Sequence, residues 1–257
     1  YEIRLSLVGS EMCIRDSLVN GISCDLEQGI LKVEFVTPDV VRVQYMGENT
    51  FIGNGTDVCL PRAVDNPVRW VYTPNPDCYL LKSDSLIVRV DLSTASITYL
   101  DKEGGLLLQE DQNIPRISEK RVTKQVIYDE HSKHIEKTAD GDKEIKNVLR
   151  YDTIGHTWKY RINFKWQPLE ALYGWGAHME DYMNLRGKEL YLCQHNLKAM
   201  VPVLNSTAGY GLLFDAGCAM MFKDNSEGSF VELEAAKQID YYFMKGKTCL
   251  LYTSDAA

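Results

Sequence analysis

From Ile30 onward the chain alternates apolar and polar side chains with a period of two, and almost every such run ends at Gly, Pro, Asn or Asp. Alternation of that kind lets a segment bury one face of a strand, and the intervening residues favour tight turns. Leu31, Val33 and Phe35 share one face, Pro38 and Asp39 supply a turn, and Val41, Val43 and Tyr45 share a face of the next strand. Leu86, Val88 and Val90 alternate with Ile87, Arg89 and Asp91; Ile97 and Tyr99 then lead to a glycine-bearing hairpin loop at 101–105 and to Leu106, Leu107 and Leu108. Residues 122–128, 135–138 and 158–166 continue the meander, with a tight turn at 139–142. The nearest thing to a helical period, residues 231–239, is short. These patterns predict an all-β fold, a large antiparallel β-sandwich with more strands than an immunoglobulin-sized domain uses, as one domain rather than two. Residues 111–120 form its most polar connection and are expected to be a loop.

Composition sets the outer bounds. A chain of 257 residues with 45% hydrophobic content can bury a sizeable core. No run reaches the roughly 18 apolar residues of a membrane-spanning helix. A formal charge of -8 without a Lys/Arg cluster disfavours nucleic acid and anionic membrane as partners. The seven cysteines include no CxxC pair and no compact framework, a pattern expected of reduced thiols in a cytoplasmic compartment. Residues 1–17 and 248–257 fit no part of the sandwich pattern and resemble translated sequencing-adaptor read-through. The expected domain therefore spans residues 18–247, with both ends non-native.

Residues 172–215 carry the most specific signal. Gly174 and Gly176 flank Trp175, which predicts a chain reversal with positive φ or a close backbone approach. Gly209-Tyr210-Gly211 precedes the apolar Leu212, Leu213 and Phe214, so a turn feeds a buried strand. Neither GxG has the spacing of a phosphate loop. Between them, Gln194, His195 and Asn196 bring three hydrogen-bonding side chains together, and amides suit sugar hydroxyls because each both donates and accepts. A polar turn in which Asn196 caps its own backbone is the alternative. Trp175 and His178 are further candidates, an aromatic beside a turn being able to stack on a sugar ring or to pack inward. Trp158 and Trp166 read as core or sheet surface. Adjacent carboxylates such as Glu180 with Asp181 point to opposite faces of an extended segment, and Asp215 with Asp224 sit beside turns, so neither pair reads as catalytic. His131 and His134 lack further ligands at metal-binding spacing and are expected on an exposed hairpin.

Tyr173-Gly174-Trp175-Gly176, residues 184–187, Gln194 with Asn196, Pro202, Gly209-Tyr210-Gly211 and residues 240–243 together resemble the N-terminal β-sandwich of glycoside hydrolase family 31, the α-glucosidases and α-xylosidases. The resemblance implies the galactose-mutarotase-like supersandwich. It also implies a parent enzyme that hydrolyses α-glucoside or α-xyloside oligosaccharides with retention, without cofactor or metal. In that family two aspartates on a following (β/α)8 barrel perform the chemistry, as the two-carboxylate mechanism requires. The chain ends before any alternating βα pattern, so no catalytic residue is assigned and the fragment is expected to be inactive alone. The family's sandwich braces the barrel and lends a substrate-pocket loop, whose polar contact aligns near Asn196 with His195 beside it. Many members carry aspartate where this chain has asparagine. Two other functions fit a β-sandwich: a free-standing carbohydrate-binding module without catalysis, and an aldose mutarotase, which needs a converging His and Glu that the sequence does not display.

Overall fold

The computed structural model describes residues 13–47 and 67–246. It is an antiparallel sandwich of two large sheets, as the alternation predicts. The chain opens with β1 (Cys13–Leu18), β2 (Gly21–Asp25), β3 (Ile30–Thr37) and β4 (Val40–Met46), then a meander of β5 (Trp70–Pro74), β6 (Cys78–Ser83), β7 (Leu86–Asp91), β8 (Ile97–Asp101) and β9 (Leu106–Glu110). Four longer or outlying strands follow: β10 (Arg116–Tyr128), β11 (His134–Thr138), β12 (Gly141–Ile145) and β13 (Val148–Lys165). The last seven are β14 (Leu172–Ala177), β15 (Glu189–Leu192), β16 (Ala199–Ser206), β17 (Tyr210–Phe214), β18 (Met220–Asn225), β19 (Gly228–Ala236) and β20 (Ile239–Lys245).

One sheet runs β1-β2-β3-β4-β20-β17-β16-β14 and the other β15-β18-β19-β13-β9-β8-β7-β6-β5, with β10 also paired to β13 and β11-β12 forming a separate hairpin. β1 lies within the segment expected to be foreign, and here it pairs with β2 as an edge strand. Arg116 to Lys120 belong to β10, so the expected loop at 111–120 contracts to residues 111–115. There the Asp111 carboxylate accepts from the backbone N–H of Asn113 and Ile114, a local turn that sequence polarity cannot distinguish from a longer loop. The segment with the nearest helical period is strand β19 running into β20, because both of its flanks find ladder partners.

A single core fills the space between the sheets. Leu31, Val33, Phe35, Val41 and Val43 come from one sheet and Leu86, Val88, Val90, Ile97 and Tyr99 from the other, as their alternation requires. At the centre the Tyr99 ring stacks on Phe243 at 4.0 Å, and its hydroxyl meets that of Tyr241 at 2.9 Å. Tyr241 donates to Glu110 Oε1 (2.9 Å), while Glu110 Oε2 accepts from the Ile97 backbone N–H (2.9 Å) and from Arg116. Burial drives the Glu110 carboxyl above its ordinary pKa against the opposing pull of Arg116. This network ties β9, the base of β10, and β20 into one block. Trp166 is buried against Phe164, and Trp158 packs on the core margin.

Candidate functional site

The Gly-Trp-Gly segment is a bulged strand and not the predicted chain reversal. β14 pairs with β16, and the register slips between Gly174 and Gly176. All three residues have positive φ, at 128°, 63° and 86°. Both glycines are needed twice over, since a Cβ on Gly174 would stand 2.3 Å from the Val203 carbonyl oxygen, and one on Gly176 2.0 Å from that of Ala199. The bulge re-aims the residue between them, which is what such irregularities do. Trp175 turns inward, 1% exposed, with its ring 5.7 Å from Phe214 and 5.9 Å from Phe222. Its expected role in stacking on a sugar is therefore corrected: the ring is part of the core and supports the site from beneath.

Beyond the bulge the chain leaves the sheet at Ala177 and returns through β15 to a short loop that enters β16. Gln194 organises this loop. Its Nε2 donates to the Lys198 carbonyl (2.7 Å), and its Oε1 accepts from the Met200 N–H (3.0 Å). Lys198 N–H donates to the His195 carbonyl (3.0 Å), closing a tight turn with Asn196 and Leu197 at its tip. Within the turn the Leu197 N–H approaches His195 Nδ1 at 3.4 Å. Among the described residues, no hydrogen bond engages the Asn196 side chain. The turn is thus capped by Gln194 and His195, and the self-capping alternative for Asn196 does not describe it.

The loop faces the segment after the bulge across an open cleft of about 660 Å³, lined by Ala177, His178 and Met179 on one side and by Gln194, His195 and Asn196 on the other. So four of the five candidates, Gln194, His195, Asn196 and His178, meet at one place. Two residues join them that sequence reasoning did not pair. Lys198 Nζ lies 2.5 Å from Glu180 Oε1, and His178 Nδ1 lies 3.0 Å from Glu180 Oε2. The hydrogen bond from Lys198 holds the Glu180 carboxyl below its usual pKa, with the charges of Lys198 and His178 adding to it. This clasp links the two walls of the cleft. Glu180 and Lys198 are 18 residues apart, so no spacing signal could have exposed their pairing.

The remaining carboxylates and histidines lie elsewhere. Asp224 accepts from Arg186 Nε (2.9 Å), the Gly187 N–H (2.7 Å) and Ser229, and serves to fix the turn before β15. Burial alone would raise its pKa, but these hydrogen bonds win and lower it. Similarly, Glu170 accepts from Tyr210 (2.9 Å) and Ser206 and from the Gln167 N–H (2.5 Å), pinning the approach to β14. His131 and His134 are exposed near the β11–β12 hairpin. No group of three metal-ligating side chains occurs among the described residues.

Comparison with known proteins places this geometry in context. Residues 30–222 match the family described as the glycosyl hydrolase 31 N-terminal galactose mutarotase-like domain. An α-xylosidase of Saccharolobus solfataricus is 22% identical over 225 residues, 84% of this chain and 26% of that protein. A family 31 glucosidase ORF2 of Pseudescherichia vulneris, itself uncharacterized, is 29% identical over 106 residues, 40% of this chain and 20% of that protein. Among solved structures, a GH31 α-xylosidase from a soil metagenome, complexed with xylose, superposes with a TM-score of 0.66 at 17% identity, covering 93% of this chain and 33% of its own. The GH31 dextranase of Flavobacterium johnsoniae, complexed with isomaltotriose, gives 0.61 at 19% identity, covering 88% and 25%. The chain thus spans between a fifth and a third of the length of these relatives.

Proposed function

Because this chain belongs to the family of glycosyl hydrolase 31 N-terminal galactose mutarotase-like domains, we propose that it is the sandwich portion of a retaining α-glycosidase, an α-glucosidase or α-xylosidase. In this reading it braces the catalytic (β/α)8 barrel and lends the loop at 194–198 to the substrate pocket. One observation carries the loop assignment: Gln194 and His195 satisfy the turn, which leaves the exposed Asn196 amide with both its donor and its acceptor for a ligand. A loop held rigidly by its own hydrogen bonds presents that amide at little entropic cost. The Glu180–Lys198 clasp sets the distance of the loop from His178 across the cleft. The proposal includes a reducing, cytoplasmic compartment, to which the free thiols of Cys78, Cys193 and Cys218 are suited.

The role of this chain's residues is to bind and orient. Bond cleavage belongs to paired carboxyl groups about 5 Å apart, and the described residues offer no such pair across the cleft. The chain alone is accordingly expected to show no turnover of aryl α-glucosides or α-xylosides. In the full-length enzyme Asn196→Ala should lower kcat/KM by about 1–3 kcal/mol, the range for leaving a polar partner unpaired, with the melting temperature unchanged. Unchanged kinetics would remove Asn196 from the pocket. Turnover by the isolated chain, abolished by a point change within 18–247, would overturn the whole assignment.

A further inference from the structure

β13 is longer than the sandwich it belongs to. It pairs with β19 only between Trp158 and Asn163, whereas its ladder with β10 runs on to Val148. Past Trp158, among the described residues, the sheet therefore narrows to a two-stranded arm of about 33 Å, at the usual rise per residue. The register makes this arm amphipathic. Val122 faces His156, Val126 faces Tyr151 and Tyr128 faces Val148 on one side, in line with Tyr160, Ile162 and Phe164 of the core. On the other side Arg121 pairs with Thr157, Thr123 with Gly155, Gln125 with Asp152 and Ile127 with Arg150. The core face of the sheet thus continues beyond the end of the opposing sheet. Val122, Tyr128, Val148 and Tyr151, with Leu149 and Ile154 at the two bulges, are left 46% to 62% exposed.

A two-stranded ribbon is marginal in water unless a hydrophobic face is covered. From this geometry we infer that the arm is a self-association surface: the apolar face packs against the same face of a second copy of this chain about a two-fold axis. Val122, Tyr128, Val148 and Tyr151 offer on the order of 450 Å² per copy, which Val126 and the stems of Lys120 and Lys124 extend toward the roughly 600–1,000 Å² that each partner contributes to a standard interface. Charge points the same way. Residues 120–157 hold eight Lys/Arg and seven Asp/Glu, against a formal charge of -8 for the whole chain, so two arms meet without the repulsion of two acidic bodies. Lys120 and Lys124 share the apolar face, and their long stems can cover it while the ammonium groups stay at the rim. Because the two apolar faces are identical, the contact is isologous and closes at a dimer. None of this depends on the sugar-loop reading.

Sedimentation velocity of the full chain at micromolar concentration tests the inference. A monomer–dimer equilibrium is expected, weakened at least tenfold by Val126→Lys with Tyr151→Lys and unchanged by Thr123→Lys on the opposite face. Hydrogen exchange of the unmodified chain gives a second readout that needs no variant: arm amides in 120–128 and 148–157 should gain protection as concentration rises, and amides of β6 to β8 should not. A chain that stays monomeric overturns the inference and leaves the remainder of a longer enzyme as the occupant. Association that ignores the Val126 and Tyr151 changes overturns it equally.

Discussion

Substituting alanine at three glycines tests whether the bulge that supports the cleft is built as described. At Gly176 the backbone has φ of 86° and a Cβ would sit 2.0 Å from the Ala199 carbonyl oxygen, more than 1 Å inside ordinary contact. Left-handed backbone costs an alanine about 1–2 kcal/mol, and overpacking adds about 1–3 kcal/mol. Relief requires β16 to move at the residue where the 194–198 loop enters it. At Gly187 the φ of 72° is also left-handed, but no atom lies within 4 Å of the added carbon, so only the backbone cost applies. At Gly155 there is neither a left-handed φ nor a neighbour. The expected order of destabilisation is Gly155→Ala near zero, Gly187→Ala about 1–2 kcal/mol, and Gly176→Ala about 2–5 kcal/mol. For a domain of this size each kcal/mol shifts Tm by about 2–4 °C, so Gly176→Ala should melt roughly 4–20 °C lower. Differential scanning calorimetry on the three variants reads this directly. If Gly176→Ala melts with Gly155→Ala, the close approach of β14 and β16 is wrong, and with it the placement of the loop.

The clasp across the cleft should be pH-dependent in a defined direction. Glu180 has its folded pKa lowered, so its contribution is present above the unfolded carboxylate pKa and is lost as pH falls through the folded value. Loop amides at 194–198 should therefore keep their exchange protection at neutral and mildly acid pH and lose it only below the ordinary carboxylate range; Glu180→Gln should remove that dependence, and its persistence in the variant would assign it elsewhere. Arg116→Met strands the buried Glu110 and should destabilise the fold by about 3–5 kcal/mol, with Glu110→Gln in the same chain recovering part of the loss. Additive effects in a denaturant double-mutant cycle would show that the two do not interact. Trimming to residues 18–247 should leave the melting temperature unchanged, since among the described residues it removes only part of β1 at a sheet edge; a lower value would show that the ends are structural.

Much of this protein is determined by local pattern. Period-two alternation in Leu31 to Phe35 and Leu86 to Val90 fixes which side chains enter the core, because a strand has only two faces. The same residues cannot say how far a ladder runs. Whether β13 ends with its sheet or overhangs it as an arm depends on where β19 stops, a non-local fact. Gln194, His195 and Asn196 are visible as a polar cluster, yet their division of labour is decided by which backbone groups the folded loop leaves unpaired. The flanking glycines announce an irregularity around Trp175, but glycine permits a turn and a bulge alike, and only pairing with β16 selects the bulge and sends the indole into the core. Glu180 and Lys198 meet solely because two segments separated by β15 end at the same edge of the sandwich. Side-chain periodicity is a property of one strand, while contacts across a cleft are a property of the sheets that carry it.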